Sequence, residues 1–176
     1  MSAHPGRVPR TILVGSDGSD GALSATEWAA DLAAMSDARV SVVHVLTYNR
    51  EFVRDLTFDT MTTWRRTLED ALQRSWIAPV RERGVRYRSS IVEDESPAGG
   101  LIRAAARDDA DLIVVGARRR HTIASRVRSS ISWSLTHHAG RPVVVVPPGW
   151  GETSPSEEVT TATTLCDPPR ARVRPR

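Results

Sequence analysis

Two short apolar runs, each closed by a glycine, constrain the fold of this chain more than any other feature. Residues 11–14, Thr-Ile-Leu-Val, end at Gly15, and residues 112–115, Leu-Ile-Val-Val, end at Gly116. Unbroken apolar runs of this length are typical of parallel strands covered on both faces. Ser130 and Ser132 then mark a helix start, so N–H groups and hydroxyls converge beyond a central strand. α/β proteins bind phosphate groups at such a position.

Strands and helices alternate along the whole chain. The apolar and alternating patterns predict strands at residues 11–14, 40–46, 85–91, 112–115 and 143–146. Helices are predicted from Asp20, from Met61 to Pro79 or one turn past it, after a cap at Ser96 with Pro97 in the first turn, and from Ser130. Right-handed crossovers leave few topologies for such a chain. We therefore predict an α/β fold: a doubly wound, Rossmann-like, five-stranded parallel sheet of order 3-2-1-4-5 with helices on both faces.

Helical spacing assigns an inner face to each predicted helix. The first helix is expected to bury Ala22, Ala25, Trp28, Ala29, Leu32, Ala33 and Met35, and the second Met61, Trp64, Leu68, Ala71, Leu72 and Ser75. The helix after Ser96 would turn Leu101, Ile102, Ala105 and Ala106 inward, and the last helix Ile131, Leu135 and either His138 or Ala139. The third strand alternates apolar and polar residues, which predicts a half-exposed edge.

The length of 176 residues suits one sizeable core. We assign residues 1–9 to a flexible N-terminus, residues 10–148 to one domain, and residues 149–176 to a disordered tail with little to bury. No apolar stretch is long enough to cross a membrane, and the first residues lack the apolar segment of a secretory signal. We expect a cytoplasmic protein that does not associate with membranes.

The composition excludes several kinds of chemistry. All 24 basic residues are arginine, which excludes a Walker A lysine and a lysine Schiff base. The single cysteine, Cys166, cannot form an internal disulfide. The adjacent His137 and His138 point in different directions on a helix and cannot share a metal ion, so no metal site is predicted. Net charge is only +3 and no aromatic residue interleaves with the arginines, so we expect no nucleic acid. Gly-x-Ser-x-Gly is absent, and no catalytic residue is predicted.

The predicted strand order brings two loops together. Strands one and four are neighbours at the switch point, so the loop over residues 15–19 and the loop after Gly116 open into one crevice. Asp17 lies in the first loop, where it is either a ligand contact or an ordinary turn residue. Ser130 caps a helix, and that role is compatible with phosphate binding. His44, inside the second strand, is interpreted as a hydrogen-bonded core imidazole rather than a catalytic group.

In these features the chain resembles the universal stress protein family over roughly residues 10–147. The resemblance rests on Ile-Leu-Val-Gly-Ser-Asp-Gly-Ser at 12–19, Val-Val-His-Val at 42–45, Asp-Leu-Ile-Val-Val-Gly at 111–116, Ser-Ile-Ser at 130–132 and Arg-Pro-Val-Val-Val-Val at 141–146. It implies a dimeric stress-response or signalling protein that binds ATP or another adenine nucleotide as a conformational switch. Apart from nucleotide-associated magnesium, no metal is implied.

The resemblance also implies binding residues. ATP-binding members carry the motif Gly, two residues, Gly, nine residues, Gly, Ser or Thr; here Gly116 and Ser130 match, while Arg119 and Ser129 replace two glycines. By resemblance, Asp17 would contact the ribose or adenine, the backbone of Val45 would lie near the base, and Ser130 and the Ile131 amide would hold phosphate. The expected nucleotide-binding set is Gly15, Asp17, Val45, Val115, Gly116, Arg119, Ser129, Ser130 and Ile131.

Two alternative functions stay open at this stage. Five arginines between 118 and 128, with no acid among them, could attract polyphosphate or instead contact an acidic protein, which would make the chain an interaction module without a nucleotide. An enzyme acting on an adenylated substrate is a third hypothesis, based on fold analogy alone. We expect no enzymatic activity beyond slow, incidental ATP hydrolysis.

The fifth strand predicts the assembly. In the order 3-2-1-4-5 the valines at 143–146 form an edge, and four exposed β-branched residues beside unpaired backbone would invite aggregation. Pairing with a second copy across a two-fold axis removes that hazard, and the family resemblance implies the same kind of homodimer. Any other protein partner is unknown.

Overall fold

The computed structural model describes residues 8–47, 58–117 and 131–151. The strands are β1 Thr11–Gly15, β2 Arg39–Thr47, β3 Tyr87–Asp94, β4 Leu112–Gly116 and β5 Val143–Val146. The helices are α1 Asp20–Ser36, α2 Phe58–Ala71, α3 Ala78–Glu82, α4 Pro97–Arg107 and α5 Ile131–His138, and a π-helical segment, Leu72–Trp76, joins α2 to α3.

The strands form one parallel sheet in the order β3-β2-β1-β4-β5, which confirms the predicted topology. β1 lies at the centre, where Val14 is paired with Val42 of β2 on one side and with Val114 of β4 on the other. β3 and β5 are the two edges. Because the strand order reverses between β1 and β4, their carboxyl ends border the crevice in which doubly wound folds bind ligands.

Alternate strand residues enter two separate apolar cores, one on each face of the sheet. Ile12 and Val14 pack with α1, the π-helical segment and α3, whereas Leu13 and Ile113 pack with α4 and α5. This alternation follows from the two-residue period of a strand. Helices on both faces therefore cover the central strands completely, as the unbroken apolar runs predict.

Side-chain caps fix the starts of two helices beside the crevice. Ser19 Oγ accepts the Ala22 N–H at 3.3 Å at the start of α1, and Ser96 Oγ accepts the Gly99 N–H at 3.1 Å at the start of α4. Pro97 occupies the first turn of α4. The predicted starts at Asp20 and Ser96 are confirmed, and both lie directly beyond the carboxyl end of a strand.

The prediction of one continuous helix from Met61 to Pro79 or one turn past it is wrong. The π-helical segment Leu72–Trp76 separates α2 from α3, so residues before and after it no longer share one helical period. Leu72 is buried as predicted, but Trp64 and Ser75 are exposed. Helical structure continues past Pro79 to Glu82, and Pro79 lies in the first turn of α3.

Three other burial predictions need correction. Met35 is 80% exposed because it lies about 200° around α1 from the buried Ala33. Ala106 is exposed for a similar reason, since Ala104 and Ala105 face the core. Of the two residues left open at the end of α5, His138 is exposed, and Ala139, which follows the helix, is buried. The valines of β5 are not all exposed: Val146 is buried and Val145 is 39% exposed.

A buried carboxylate joins three elements at the amino end of the sheet. Asp108, which follows α4, accepts a hydrogen bond from Ser41 Oγ at 2.6 Å and forms ion pairs with Arg107 at 2.9 Å and Arg88 at 3.0 Å. Burial alone would raise its pKa, but these hydrogen bonds and positive charges together hold the pKa of Asp108 below its ordinary value. The cluster connects α4 to β2 and β3 at the end of the sheet opposite the crevice.

Several predicted segments lie outside the described residues: 1–7 of the N-terminus, the arginine-rich stretch from 118 to 130, and the tail from 152. The first tail residues are part of a turn after β5, in which the Gly149 N–H donates to Ser24 Oγ at 3.2 Å. Within the ranges that the structure covers, we find no helix with the length and apolar character needed to span a bilayer.

Candidate functional site

A cavity of about 230 Å³ lies at the carboxyl ends of β1, β2 and β4. Its walls are mainly apolar, with Val43 and Val45 from β2, Val115 from β4 and Leu101 from α4. Polar groups from the loop after β1 and from the start of α5 complete the lining. An apolar pocket with a few convergent polar groups at a switch point is the usual form of a small-molecule site.

Two glycines allow close backbone approach at the cavity. A Cβ atom on Gly116 would lie 2.2 Å from the carbonyl carbon and oxygen of Gly21, at the first turn of α1. A Cβ atom on Gly15 would lie 2.8 Å from a methyl group of Leu101. The glycines that end the two central strands therefore bring α1 and α4 against the sheet, and a side chain at either position would displace a wall of the cavity.

The loop after β1 has a defined conformation. Asp17 Oδ1 accepts the Ser19 N–H at 3.1 Å and the Ser19 hydroxyl at 2.6 Å, and Ser19 in turn caps α1. Gly18 has a φ of +76°, in the left-handed region that favours glycine. Asp17 is thus both a turn residue and a lining residue of the cavity, so the two readings of Asp17 from the sequence are compatible.

His44 lies beneath this loop. Its Nδ1 is 2.8 Å from the carbonyl oxygen of Ser16, and because a carbonyl only accepts, Nδ1 carries the proton and donates. The ring also meets the edge of Trp76 at a centroid distance of 5.2 Å. The interpretation of His44 as a hydrogen-bonded imidazole is confirmed, although the residue is half-buried and contributes to the lining of the cavity.

The second strand offers its backbone to the cavity. Pairing of β1 with β2 ends at Gly15 and Val43, followed by one more hydrogen bond from the Ser16 N–H to the Val43 carbonyl at 2.9 Å. β2 nevertheless continues to Thr47, paired with β3 on its other side. The side of β2 that faces β1 therefore extends beyond β1 at Val45, where the strand backbone borders the cavity.

The structure brings together the predicted site residues that it describes. Those lining the cavity are Gly15, Asp17, Val45, Val115, Gly116 and Ile131. They come from four separate segments of the chain, as the predicted strand order requires. Arg119, Ser129 and Ser130 lie outside the described residues.

Further lining residues were not among the predicted site residues. They are Ser16, Ser19, Ala22, Val43, His44, Pro97, Leu101, Ala117 and Ser132. Ser16, Ser19 and Ala117 are neighbours of predicted residues, so a wider reading of each loop would have found them. Pro97 and Leu101 reach the cavity only through the packing of α4 on the sheet, which the sequence pattern does not specify.

A resident metal has no evident ligand set here. Within residues 8–47, 58–117 and 131–151, no three His, Cys, Asp or Glu side chains come together in a metal-binding arrangement. Asp17 is the only ionisable carboxylate that lines the cavity in this part of the chain. The site is therefore suited to hydrogen bonding and apolar contact.

Comparison with known proteins gives a consistent result. Residues 9–147 match the model of the universal stress protein family. A universal stress protein of Thermus aquaticus is 30% identical over 137 residues, which cover 78% of this chain and 98% of that protein.

Solved structures show the same similarity. A universal stress family protein from Burkholderia pseudomallei is 33% identical with a TM-score of 0.57, covering 81% of this chain and 99% of that one. A universal stress protein solved in complex with cAMP is 24% identical with a TM-score of 0.64, also covering 81% of this chain and 99% of that one.

Proposed function

The chain belongs to the universal stress protein family, and from that premise we propose that its cavity binds ATP or another adenine nucleotide in a stress-response role. One observation carries the proposal: residues from the loop after β1, from β2, from the end of β4 and from the start of α5 line the same cavity. These segments are the ones in which family resemblance places the nucleotide contacts. The cAMP complex of a relative supports an adenine nucleotide as the class of ligand.

The nucleoside would occupy the apolar part of the cavity. The backbone of Val45, where β2 extends beyond β1, can exchange strand-like hydrogen bonds with the donor and acceptor edge of adenine. Leu101 and Val115 supply apolar contact for the base, and Asp17 can accept hydrogen bonds from ribose hydroxyls. The phosphates would extend outward from this part of the cavity.

The phosphate end would lie at the start of α5. Ile131 and Ser132 line the cavity there, and the first N–H groups of a helix have no partner within the helix. Arg119, Ser129 and Ser130 are assigned to the same end by family resemblance. Where the motif has two glycines, this chain has an arginine and a serine. These residues would limit close approach of the backbone to phosphate, but they add side-chain hydrogen-bond donors and a positive charge.

The protein would act by binding the nucleotide rather than by hydrolysing it. We propose a conformational switch in which the nucleotide orders the residues after Gly116 and changes the surface shown to a partner. The chain has no lysine to contact the phosphates, so we propose no catalytic role for the site beyond slow, incidental ATP hydrolysis. The lone Cys166 suits a reducing compartment, and we propose the cytoplasm as the place of action.

A thermal-shift titration tests the proposal. Nucleotide-stripped protein is titrated with ATP, AMP and cAMP, and its melting temperature is followed. A ligand at about a hundred times its dissociation constant adds about 2.7 kcal/mol of stability, which corresponds to a rise of roughly 5–10 °C for a chain of this size. Asp17→Ala is expected to lower the shift, while Glu82→Ala, an exposed carboxylate near the opposite end of the sheet, should leave it unchanged.

The absence of a shift with millimolar nucleotide would contradict the proposal. That result would favour the interaction module that uses the arginines between 118 and 128. GTP is titrated in parallel, and an equal shift with GTP would contradict the adenine assignment while leaving a nucleotide site in place.

We also propose a homodimer formed through β5. The two edges of the sheet differ: at β3, Arg103 donates to the backbone carbonyl of Glu93 at 2.8 Å, and Arg65 forms an ion pair with the Glu93 side chain at 2.6 Å. Charged side chains thus block that edge. β5 consists of four valines, with Val145 39% exposed, and offers an apolar edge for pairing with a second copy.

A further inference from the structure

We propose that His44 and Trp76 are positioning residues that hold the loop between Gly15 and Ser19, and so fix Asp17, for the ligand of the cavity. The inference rests on the proposed nucleotide site but concerns residues that lie outside the glycine-based nucleotide motif. Neither side chain needs to touch the ligand. Their part is to keep one conformation of the loop that carries Asp17.

Ser16 is held at both of its backbone polar groups by β2. Its N–H donates to the Val43 carbonyl at 2.9 Å, and its carbonyl accepts from His44 Nδ1 at 2.8 Å. Ser16 is buried, so these bonds are shielded from water. The chain that leaves β1 is therefore tied to β2 for one residue beyond the last ladder pair, immediately before Asp17.

Trp76 contacts the same loop at Gly18. A Cβ atom on Gly18 would lie 2.6–2.7 Å from three atoms of the indole, so the ring rests directly against the Gly18 backbone. The ring also meets the His44 imidazole edge-on. Trp76 ends the π-helical segment, and such segments recur at functional sites because they redirect side chains.

The nature of these residues argues against simple core filling. β2 reads Arg-Val-Ser-Val-Val-His-Val-Leu-Thr, so a leucine at position 44 would satisfy an apolar core better than a half-buried imidazole. The imidazole donates a hydrogen bond that leucine lacks, and it donates to the residue next to Asp17. Trp76 likewise contacts the one loop residue with positive φ.

The test compares variants that keep or remove the donor. His44→Asn retains an N–H donor on a short side chain, whereas His44→Leu retains bulk and loses the donor. Trp76→Phe is a milder second variant that keeps an aromatic ring and gives up the indole contact with Gly18. Each is measured for AMP affinity by calorimetry and, without ligand, for hydrogen exchange at the Ser16 and Ser19 amides by NMR.

Loss of the His44 N–H donor should change both the amide exchange of the loop and the affinity for AMP. For His44→Leu we expect about five- to tenfold faster exchange at both amides and a similar loss of AMP affinity, the factor that one hydrogen bond supplies. His44→Asn should recover both to within about threefold. Trp76→Phe should shift both in the same direction as His44→Leu, which keeps the inference testable if His44→Leu does not fold.

The two readouts separate this inference from the proposed function. Suppose that the unmodified protein binds no AMP but His44→Leu speeds hydrogen exchange at the Ser16 and Ser19 amides. The nucleotide proposal then fails, whereas the conclusion that His44 fixes the loop conformation is retained. If the protein binds AMP and His44→Leu or Trp76→Phe leaves affinity unchanged, the positioning role is overturned whatever the exchange rates. Failure of His44→Asn to recover either quantity also overturns it.

Discussion

At the scale of single residues, the site depends on positions where a side chain is absent as much as on those where one is present. Gly116 is the sharpest case, because the backbones of β4 and α1 meet there without room for a methyl group. The nucleotide motif of the family and the packing of the fold thus require the same residue for different reasons. A substitution at this position tests packing and ligand binding at once.

Gly116→Ala is predicted to destabilise the protein by about 2–3 kcal/mol, because the new methyl group would overlap the Gly21 backbone and force α1 away from β4. Urea unfolding measures the change. Gly84→Ala is the control: Gly84 has a φ of +63° but no atom within 4 Å of the added methyl group, so only about 1 kcal/mol of backbone strain is expected. Equal losses in the two variants would contradict the close approach seen here.

Asp108 gives a residue-scale prediction of pH dependence. Its folded-state pKa is lowered, so its contribution to stability is fully present above the unfolded pKa near 3.9 and is lost as the pH falls through the folded value. Asp108→Asn is expected to cost about 2–3 kcal/mol at pH 7 through weaker hydrogen bonds from Arg107 and Ser41. The difference from the unmodified protein should shrink as the pH is lowered below 4.

Denaturant unfolding between pH 7 and pH 3 measures this effect. Asp109→Asn is the matched control, since Asp109 is adjacent, exposed, and has a φ of +48° that asparagine tolerates. It should leave stability nearly unchanged at every pH. A penalty for Asp108→Asn that is constant with pH would show that charge at Asp108 is not what stabilises the cluster.

At the scale of elements, the two edge strands have opposite properties. The pairing of β4 with β5 uses the backbone of Pro142 and Val146, with the Ile113 N–H donating to the Pro142 carbonyl at 3.0 Å and the Ala117 N–H donating to the Val146 carbonyl at 2.7 Å. Alternation along the strand then turns the backbone of Val145 away from β4. The outward donor can therefore be removed without breaking the sheet.

Val145→Pro is predicted to convert the proposed dimer to a monomer, because proline has no N–H to donate to a second β5 strand and is tolerated where that group faces outward. Val145→Thr keeps a β-branched side chain and the donor, and should remain dimeric. Light scattering at several concentrations gives the mass of each. A monomer for the unmodified protein at high micromolar concentration, or a dimer for Val145→Pro, would contradict pairing through β5.

Sequence patterns predicted the elements well where one physical signal dominated. The runs that end at Gly15 and Gly116 are short and bounded by glycine, which favours buried strands, and right-handed crossovers then left few possible orders. The region around Trp76 could not be predicted in the same way, because a π-helical segment changes the helical period without a sequence mark as clear as proline or glycine. The contact of Trp76 with Gly18 consequently emerged only from the tertiary structure.

At the scale of the whole molecule, the Asp108 cluster and the cavity lie at opposite ends of the sheet. The amino end of the sheet carries the Asp108 cluster, which joins α4 to β2 and β3, and the carboxyl end carries the cavity. Asp17 and Ile131 are distant in sequence, yet both line that cavity because β1 and β4 are neighbours. The crevice at the switch point was predictable from topology, whereas the contribution of α4 through Pro97 and Leu101 required the packed structure.

The most direct test of the account is an NMR titration of the isotope-labelled protein with AMP and then ATP. Saturable amide shifts are predicted for residues 15–19, Val45, residues 115–117 and Ile131, with the amides around Asp108 unchanged. Shifts that appear at only one of these segments, or that centre on the amino end of the sheet, would contradict a shared nucleotide cavity between β1 and β4.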